Sequence, residues 1–231
     1  FKTAEVHDLR MAFEEISGKD LNWFFNQWFL DKGHPVLDVS WDYIGDSLLL
    51  NVSQIQSLDY PTFKLPVEID FYYDDEVIRK KIWVTKREEK FAFEGLSRAK
   101  VVNFDADKVL LMELNQTLLP EEALVLYKES DNYRTKLEAI LQVSEDTSRA
   151  SWELFKLARK DDFDSFRKIS IYFSRKFDDA QTDEYKSYLI KKFKTDSSSS
   201  VRVAIVNTIY NIWRDDSSLI SFYKKASLDS S

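Results

Sequence analysis

Residues 23–43 read WFFNQWFLDKGHPVLDVSWDY. Leu21, Phe24, Phe25, Trp28 and Phe29 fall at the i, i+3, i+4, i+7, i+8 spacing of one helical face. Gly33 supplies the left-handed residue that commonly ends a helix, and Pro35 follows where a helix cannot continue. From Leu37 the period becomes two. Leu37, Val39, Trp41 and Tyr43 alternate with Asp38, Ser40 and Asp42, the pattern of a half-buried strand. The stretch is a seam, helical before Gly33 and extended after Pro35, and the rest of the chain sorts to either side of it.

Upstream, Thr3 is placed to cap a helix carrying Val6, Leu9, Met11 and Phe13, which Ser17-Gly18 stops. Asp20 then opens the aromatic helix. Two short helices cannot bury that much apolar surface between themselves. Each large side chain left in water forgoes roughly 1.5–3 kcal/mol, so a neighbouring domain is expected to cover it. Residues 1–34 are therefore expected to be a helical end of something larger.

Downstream, residues 35–118 are expected to form an antiparallel β-sandwich. Leu48, Leu50 and Val52 alternate, as do Phe63, Leu65, Val67, Ile69, Phe71 and Tyr73. Asp74-Asp75 suits a hairpin turn before Ile78, Ile82 and Val84. Phe91 and Phe93, Val101–Phe104 and Val109–Leu114 supply further strands. Pro66 has no amide hydrogen to donate, so an edge or a bulge suits it. Trp41 shares a parity with Leu37 and Val39 and is expected in the core. Tyr72 and Trp83 lie on the opposite parity from their strands' apolar sets. With Tyr60, they are the aromatic candidates for surface stacking.

Residues 119–231 are expected to be α-helical repeats of HEAT-like type. Pro120-Glu-Glu makes a good first turn. "DNYRTKLEAI" at Asp131, "DSFRKISIYF" at Asp164 and "SSVRVAIVNTI" at Ser199 align on Arg134, Arg167 and Arg202, with steps of 33 and 35 residues. That is the period of stacked helix pairs, none of which can bury its own apolar stripe alone. In each unit the acidic or small residue can cap the helix, and the Arg can pair with a neighbouring unit's carboxylate.

Composition narrows the chemistry. A net charge of -7 argues against a broad nucleic-acid surface. The absence of Cys removes disulfides, thiol nucleophiles and thiolate metal sites. No run of apolar residues is long enough to span a bilayer, and the compartment, cytoplasmic or exported to a periplasm, is left open. The chain begins at Phe1 without a signal-peptide pattern, which reads as a cut from a longer polypeptide. A zinc peptidase needs His-Glu-x-x-His. The two histidines, His7 and His34, lie in no such motif, and His34 is expected to sit at a bend. No Gly-x-Ser-x-Gly elbow or phosphate-binding loop occurs. Asp74-Asp75, Asp161-Asp162 and Asp178-Asp179 read as turn or helix-start clusters, and Asp105 with Asp107 as a weak oxygen-only calcium candidate. No catalytic, cofactor or metal ligand is assigned to this chain.

The segment "DLRMAFEEISGKDLNWFFNQWFLDKGHPVLDV" resembles the end of the catalytic domain in the aminopeptidase N family of zinc metallopeptidases. Glu15, Ser17, Gly18, Asp20, Leu21, Phe24, Phe25, Trp28, Gly33, Pro35, Leu37 and Val39 carry the match, with a shift of one between Glu14 and Glu15. "VVNFDAD" followed by "LLMELN" looks like the close of that family's sandwich domain, and "LARKDDFDSFRKISI" like the repeats of its helical C-terminal domain. The resemblance implies a C-terminal portion of an aminopeptidase. Zinc, the substrate-amine motif and the catalytic groups would then belong to an upstream domain, which is the expected partner, with peptides as substrates of the whole. The portion itself would brace the catalytic domain, shape access to its cleft and be inactive alone. The alternative is a relative without zinc chemistry that binds a protein partner through its helices.

Overall fold

In the computed structural model, which describes residues 3–96 and 98–228, the alternation after Pro35 becomes strand β1, Val36–Ile44. β2 (Ser47–Gln54) pairs antiparallel with it, so Leu48, Leu50 and Val52 join Leu37 and Val39 on one buried face. β5 (Glu88–Glu94) adds to the far side of β2. A second sheet has β3 (Leu65–Tyr72) at its centre, between β4 (Val77–Val84) and β6 (Val101–Phe104). The inward sets of both sheets, among them Leu37, Leu50, Val67, Ile69, Phe71 and Phe104, form one core. The Phe71 and Phe93 rings meet across it with centroids 5.0 Å apart.

Three details differ from the sequence reading. The segment 109–114 yields only β7 (Glu113–Asn115), and it runs parallel to β1, with Val36 opposite Glu113. The sandwich is therefore not wholly antiparallel, because the chain returns from β6 by a loop and not by a hairpin. Pro66 lies on a central strand, yet β6 flanks only Ile69–Tyr72, so Pro66 falls in the half of β3 that β4 alone flanks. Tyr72 is buried, against the surface role its parity implied, because both faces of β3 are shielded at that end.

The helical segment before β1 belongs to the same compact unit, Phe1–Thr117. α1 (Val6–Ser17) begins at Glu5, whose amide donates to Asp8 Oδ2 at 2.9 Å; Thr3 does not cap it. It ends at Gly18, whose φ of 65° and hydrogen bond to the Glu14 carbonyl make the left-handed stop. Asp20 caps the next turn through the Asn22 amide at 2.9 Å. α2 (Asn22–Phe25) then widens into a π-turn over Asn26–Leu30. Trp28 reaches Phe63 at the sandwich core, centroids 5.4 Å apart, and Gln27 exchanges hydrogen bonds with the backbone of Lys64.

The second unit, Leu118–Ser231, is helical. Its helices are α3 (Pro120–Glu129), α4 (Tyr133–Gln142), α5 (Arg149–Ala158), α6 (Asp164–Phe173), α7 (Asp183–Thr195), α8 (Ser199–Trp213) and α9 (Ile220–Ala226). Leu126, Ile140, Leu154, Phe155, Phe166, Ile171, Leu189, Ile205 and Ile209 lie in its interior. The loops before α6 and α8 repeat one device 35 residues apart. Asp161 and Asp196 accept the amides of Phe163 and Ser198. Arg167 Nη1 donates to the carbonyls of Asp161 and Asp162, and Arg202 Nη1 to those of Asp196 and Ser197. Arg134 departs from the pattern and pairs with Glu138 at 2.9 Å. Six residues before it stands Lys128, still inside α3, so no loop carbonyl is offered there.

Candidate functional surface

Among the described residues, no group of three or more His, Cys, Asp or Glu side chains is placed to hold a metal ion. His7 Nδ1 lies 3.0 Å from Arg10 Nη2, and His34 Nε2 lies 2.7 Å from Glu113 Oε1, tying the approach of β1 to β7. Each imidazole serves its own neighbourhood. Zinc hydrolysis needs imidazole and carboxylate ligands converging on one point, so these residues do not fit that metal.

In each carboxylate pair one member is likewise engaged. Asp161 accepts the Tyr127 hydroxyl at 2.7 Å, and burial together with that bond raises the phenol's pKa. Burial pushes Asp161 itself up, but the Phe163 amide, Tyr127 and Lys136 outweigh it and hold the carboxyl below its ordinary range. Asp178 and Asp179 lie in a tight helical turn, Asp178–Gln181, and Asp74 pairs with Lys100 in the turn after β3. Asp105 Oδ1 and Oδ2 accept the amides of Val109 and Leu110. Asp107 takes two hydrogen bonds from Arg79, which also grips Asp70 at 2.7 and 2.8 Å. The oxygens considered for calcium are thus occupied by backbone amides and a guanidinium.

Of the aromatic candidates, Trp83 is half exposed, but its ring meets Trp23 edge-on at 5.4 Å, so it fastens the helical segment to β4. Tyr60 packs beneath Gly33, where an added Cβ would come within 2.6 Å of its ring. Trp41 is partly buried against the core.

One surface is physically anomalous. No residue of α1 is buried, and the only two partly shielded from solvent are Arg10 and Glu14. Both turn toward α2: Arg10 bonds Asn22, and Glu14 Oε1 accepts the Leu21 amide at 2.8 Å. The apolar stripe Val6, Leu9, Phe13 and Ile16 stays partly in water, with Ile16 89% exposed, although the Phe13 ring meets that of Phe25 edge-on at 6.4 Å. Phe24, Phe29 and Leu30 extend that exposed surface, above a stack of Phe25 on Phe29 at 4.8 Å. A cleft of about 610 Å³ opens beside it, between Val6, His7 and Arg10 on one side and Phe25, Asn26 and Leu30 on the other. An amphipathic helix that turns its charged edge inward and its apolar edge outward lacks the partner that would bury that edge.

No protein-family description matches the chain, and no curated protein matches it. Among solved structures, the chain is similar to aminopeptidase A of Legionella pneumophila, determined with aspartic acid, with a TM-score of 0.67 and 14% identity. The match takes in 95% of this chain and 33% of that one. The fold is aminopeptidase-like. The chain spans about a third of that aminopeptidase, and at this identity the likeness concerns the fold alone.

Spacing gave no sign of two features. The Arg79 cluster draws on Asp70 and Asp107 from distant segments. Arg159 is almost wholly buried, its guanidinium 4.6 Å from the Trp152 ring centroid and 4.7 Å from that of Tyr185, with Nε donating to the Phe155 carbonyl. It cements α5 to α7. Among the described residues, no helix is long and apolar enough to cross a membrane.

Proposed function

We propose that this chain is a non-catalytic part of a longer zinc aminopeptidase of the aminopeptidase N type, which removes N-terminal residues from peptides. In this reading residues 1–34 are the end of the catalytic domain, residues 35–118 a sandwich domain and residues 119–231 a HEAT-like helical repeat domain. The observation that carries the reading is the inverted α1. Its outward apolar stripe is the edge that an upstream catalytic domain would bury, while the Trp23–Trp83 and Trp28–Phe63 contacts anchor that domain to the sandwich. The fold likeness to one third of an aminopeptidase supports the same view. The chain would brace the catalytic domain and shape access to its cleft, and zinc would be held upstream.

The test is reconstitution. The chain alone, supplied with zinc, is expected to leave aminoacyl-p-nitroanilides intact, and co-expression with the region encoded upstream is expected to yield turnover and a stable complex. Stoichiometric zinc and hydrolysis by this chain alone would overturn the reading. An upstream sequence without His-Glu-x-x-His would replace it with the protein-binding alternative, in which the helices are the docking surface.

A further inference from the structure

A second cleft, of about 390 Å³, lies wholly within the helical unit, where the end of α6 and the turn Ser174–Lys176 face the last turns of α8. We propose that it binds a peptide carboxylate, with Arg175 as the group that reads the anion. The two basic residues in its wall are not equivalent. Lys176 is spent: its ammonium lies 3.0 Å from Glu145 and also donates to the Ser144 carbonyl. Arg175 is fixed but not neutralised. Its guanidinium stands 3.7 Å from the Tyr172 ring centroid, and Nε donates to the Tyr172 carbonyl at 2.9 Å. Neither Nη1 nor Nη2 has a carboxylate or carbonyl partner among the described residues. A stacked guanidinium with its outer donors open matches the two oxygens of a carboxylate.

The rest of the wall selects the ligand class. Glu145 and Lys176 offset each other, which leaves Arg175 as a single positive charge, a better match for a singly charged carboxylate than for a doubly charged phosphate. Phe173 and Ile212 give an apolar wall for the residue that carries the carboxylate. Asn211 uses its amide group on the Asn207 carbonyl, leaving Oδ1 to accept a peptide N–H. The volume suits one or two residues of a chain. The carboxylate can be a C-terminus or an Asp or Glu side chain. The inference does not depend on an aminopeptidase parent.

The experiment records amide shifts of the full 15N-labelled chain during titration with three peptides. These are N-acetyl-Ala-Ala-Phe with a free C-terminal carboxylate, its C-terminal amide, and the amide of N-acetyl-Ala-Glu-Phe. Shifts at Arg175, Asn211 and Ile212 with the free acid, and none with its amide, are expected for recognition of a C-terminus. The same shifts with the Glu-bearing amide are expected for a side-chain carboxylate. Arg175→Gln should weaken binding about tenfold, the loss of one charge-assisted hydrogen-bonded pair. Arg175→Lys, which keeps the charge without the fork, should weaken it as well, and Arg214→Gln on the same unit should not. The proposal is overturned if neither carboxylate peptide shifts these amides, if both Arg175 variants bind as the wild type does, or if inorganic phosphate binds at Arg175 more tightly than the peptides.

Discussion

Arg167 of α6 and Asp196, 29 residues later in the loop between α7 and α8, meet as a two-pronged ion pair: Nε and Nη2 each lie 2.8 Å from a carboxylate oxygen. The Asp196 side chain is 1% exposed. The same Arg167 fixes its own loop through the Asp161 and Asp162 carbonyls, so one side chain ties two successive loops together.

Asp196→Ala should strand the Arg167 charge in the interior and cost about 3–5 kcal/mol, read as a lower urea midpoint of the helical unit. Burial pushes the Asp196 carboxyl up, but Arg167, the Ser198 amide and Lys192 outweigh it and hold it at about 2. Unfolding returns it to its ordinary 3.8. The unfolded chain therefore binds the proton more tightly, and this contribution is full above the unfolded value and lost as pH falls from about 4 to about 2. Denaturation curves across that window should converge for the wild type and Asp196→Ala.

Gly33 and Gly18 both have positive φ, 81° and 65°, but only Gly33 faces an obstacle. Gly18→Ala is expected to cost about 1 kcal/mol, the left-handed penalty alone. Gly33→Ala should cost more, because its Cβ would enter the Tyr60 ring. Adding Tyr60→Ala should relieve that excess and leave the conformational part, measured as a double-mutant cycle in urea.

The outward stripe of α1 should make the isolated chain self-associate. Sedimentation velocity is expected to show oligomers that Phe13→Glu with Ile16→Glu converts to monomer, while stability falls by about 1 kcal/mol, the worth of the Phe13–Phe25 edge contact, since Ile16 is almost wholly exposed. A wild-type monomer at high concentration would contradict the expectation.

Arg79 is shared by the buried carboxylate of Asp70 and the more open ones of Glu68 and Asp107, and its hydrogen bonds to Asp70 and Asp107 raise its pKa. Arg79→Met should cost about 1–3 kcal/mol, since Asp70 is left buried without its partner. Asp107→Asn, at the solvent side, should cost less than about 1 kcal/mol. Thermal melts of the two variants would rank them.

The sequence by itself determined what depends on neighbours along the chain. The change of period at Gly33-His-Pro placed the helix-to-strand seam, alternation set the inward residues of β1 and β2, and Pro120, Asp164 and Ser199 marked true helix starts. Arg167 was legible as a partner for a carboxylate of the next helix pair because its spacing to Arg202 repeats. Tertiary structure decided the rest. Alternation assigns a residue to a face but cannot say whether that face is covered, so Tyr72 went inside and the apolar stripe of α1 stayed outside. β7 took a parallel register beside β1, and Arg79 took the oxygens of Asp70 and Asp107. The open fork of Arg175 became visible only when α6 and α8 came together, because a pairing across distant segments depends on how they pack and leaves no period in the sequence.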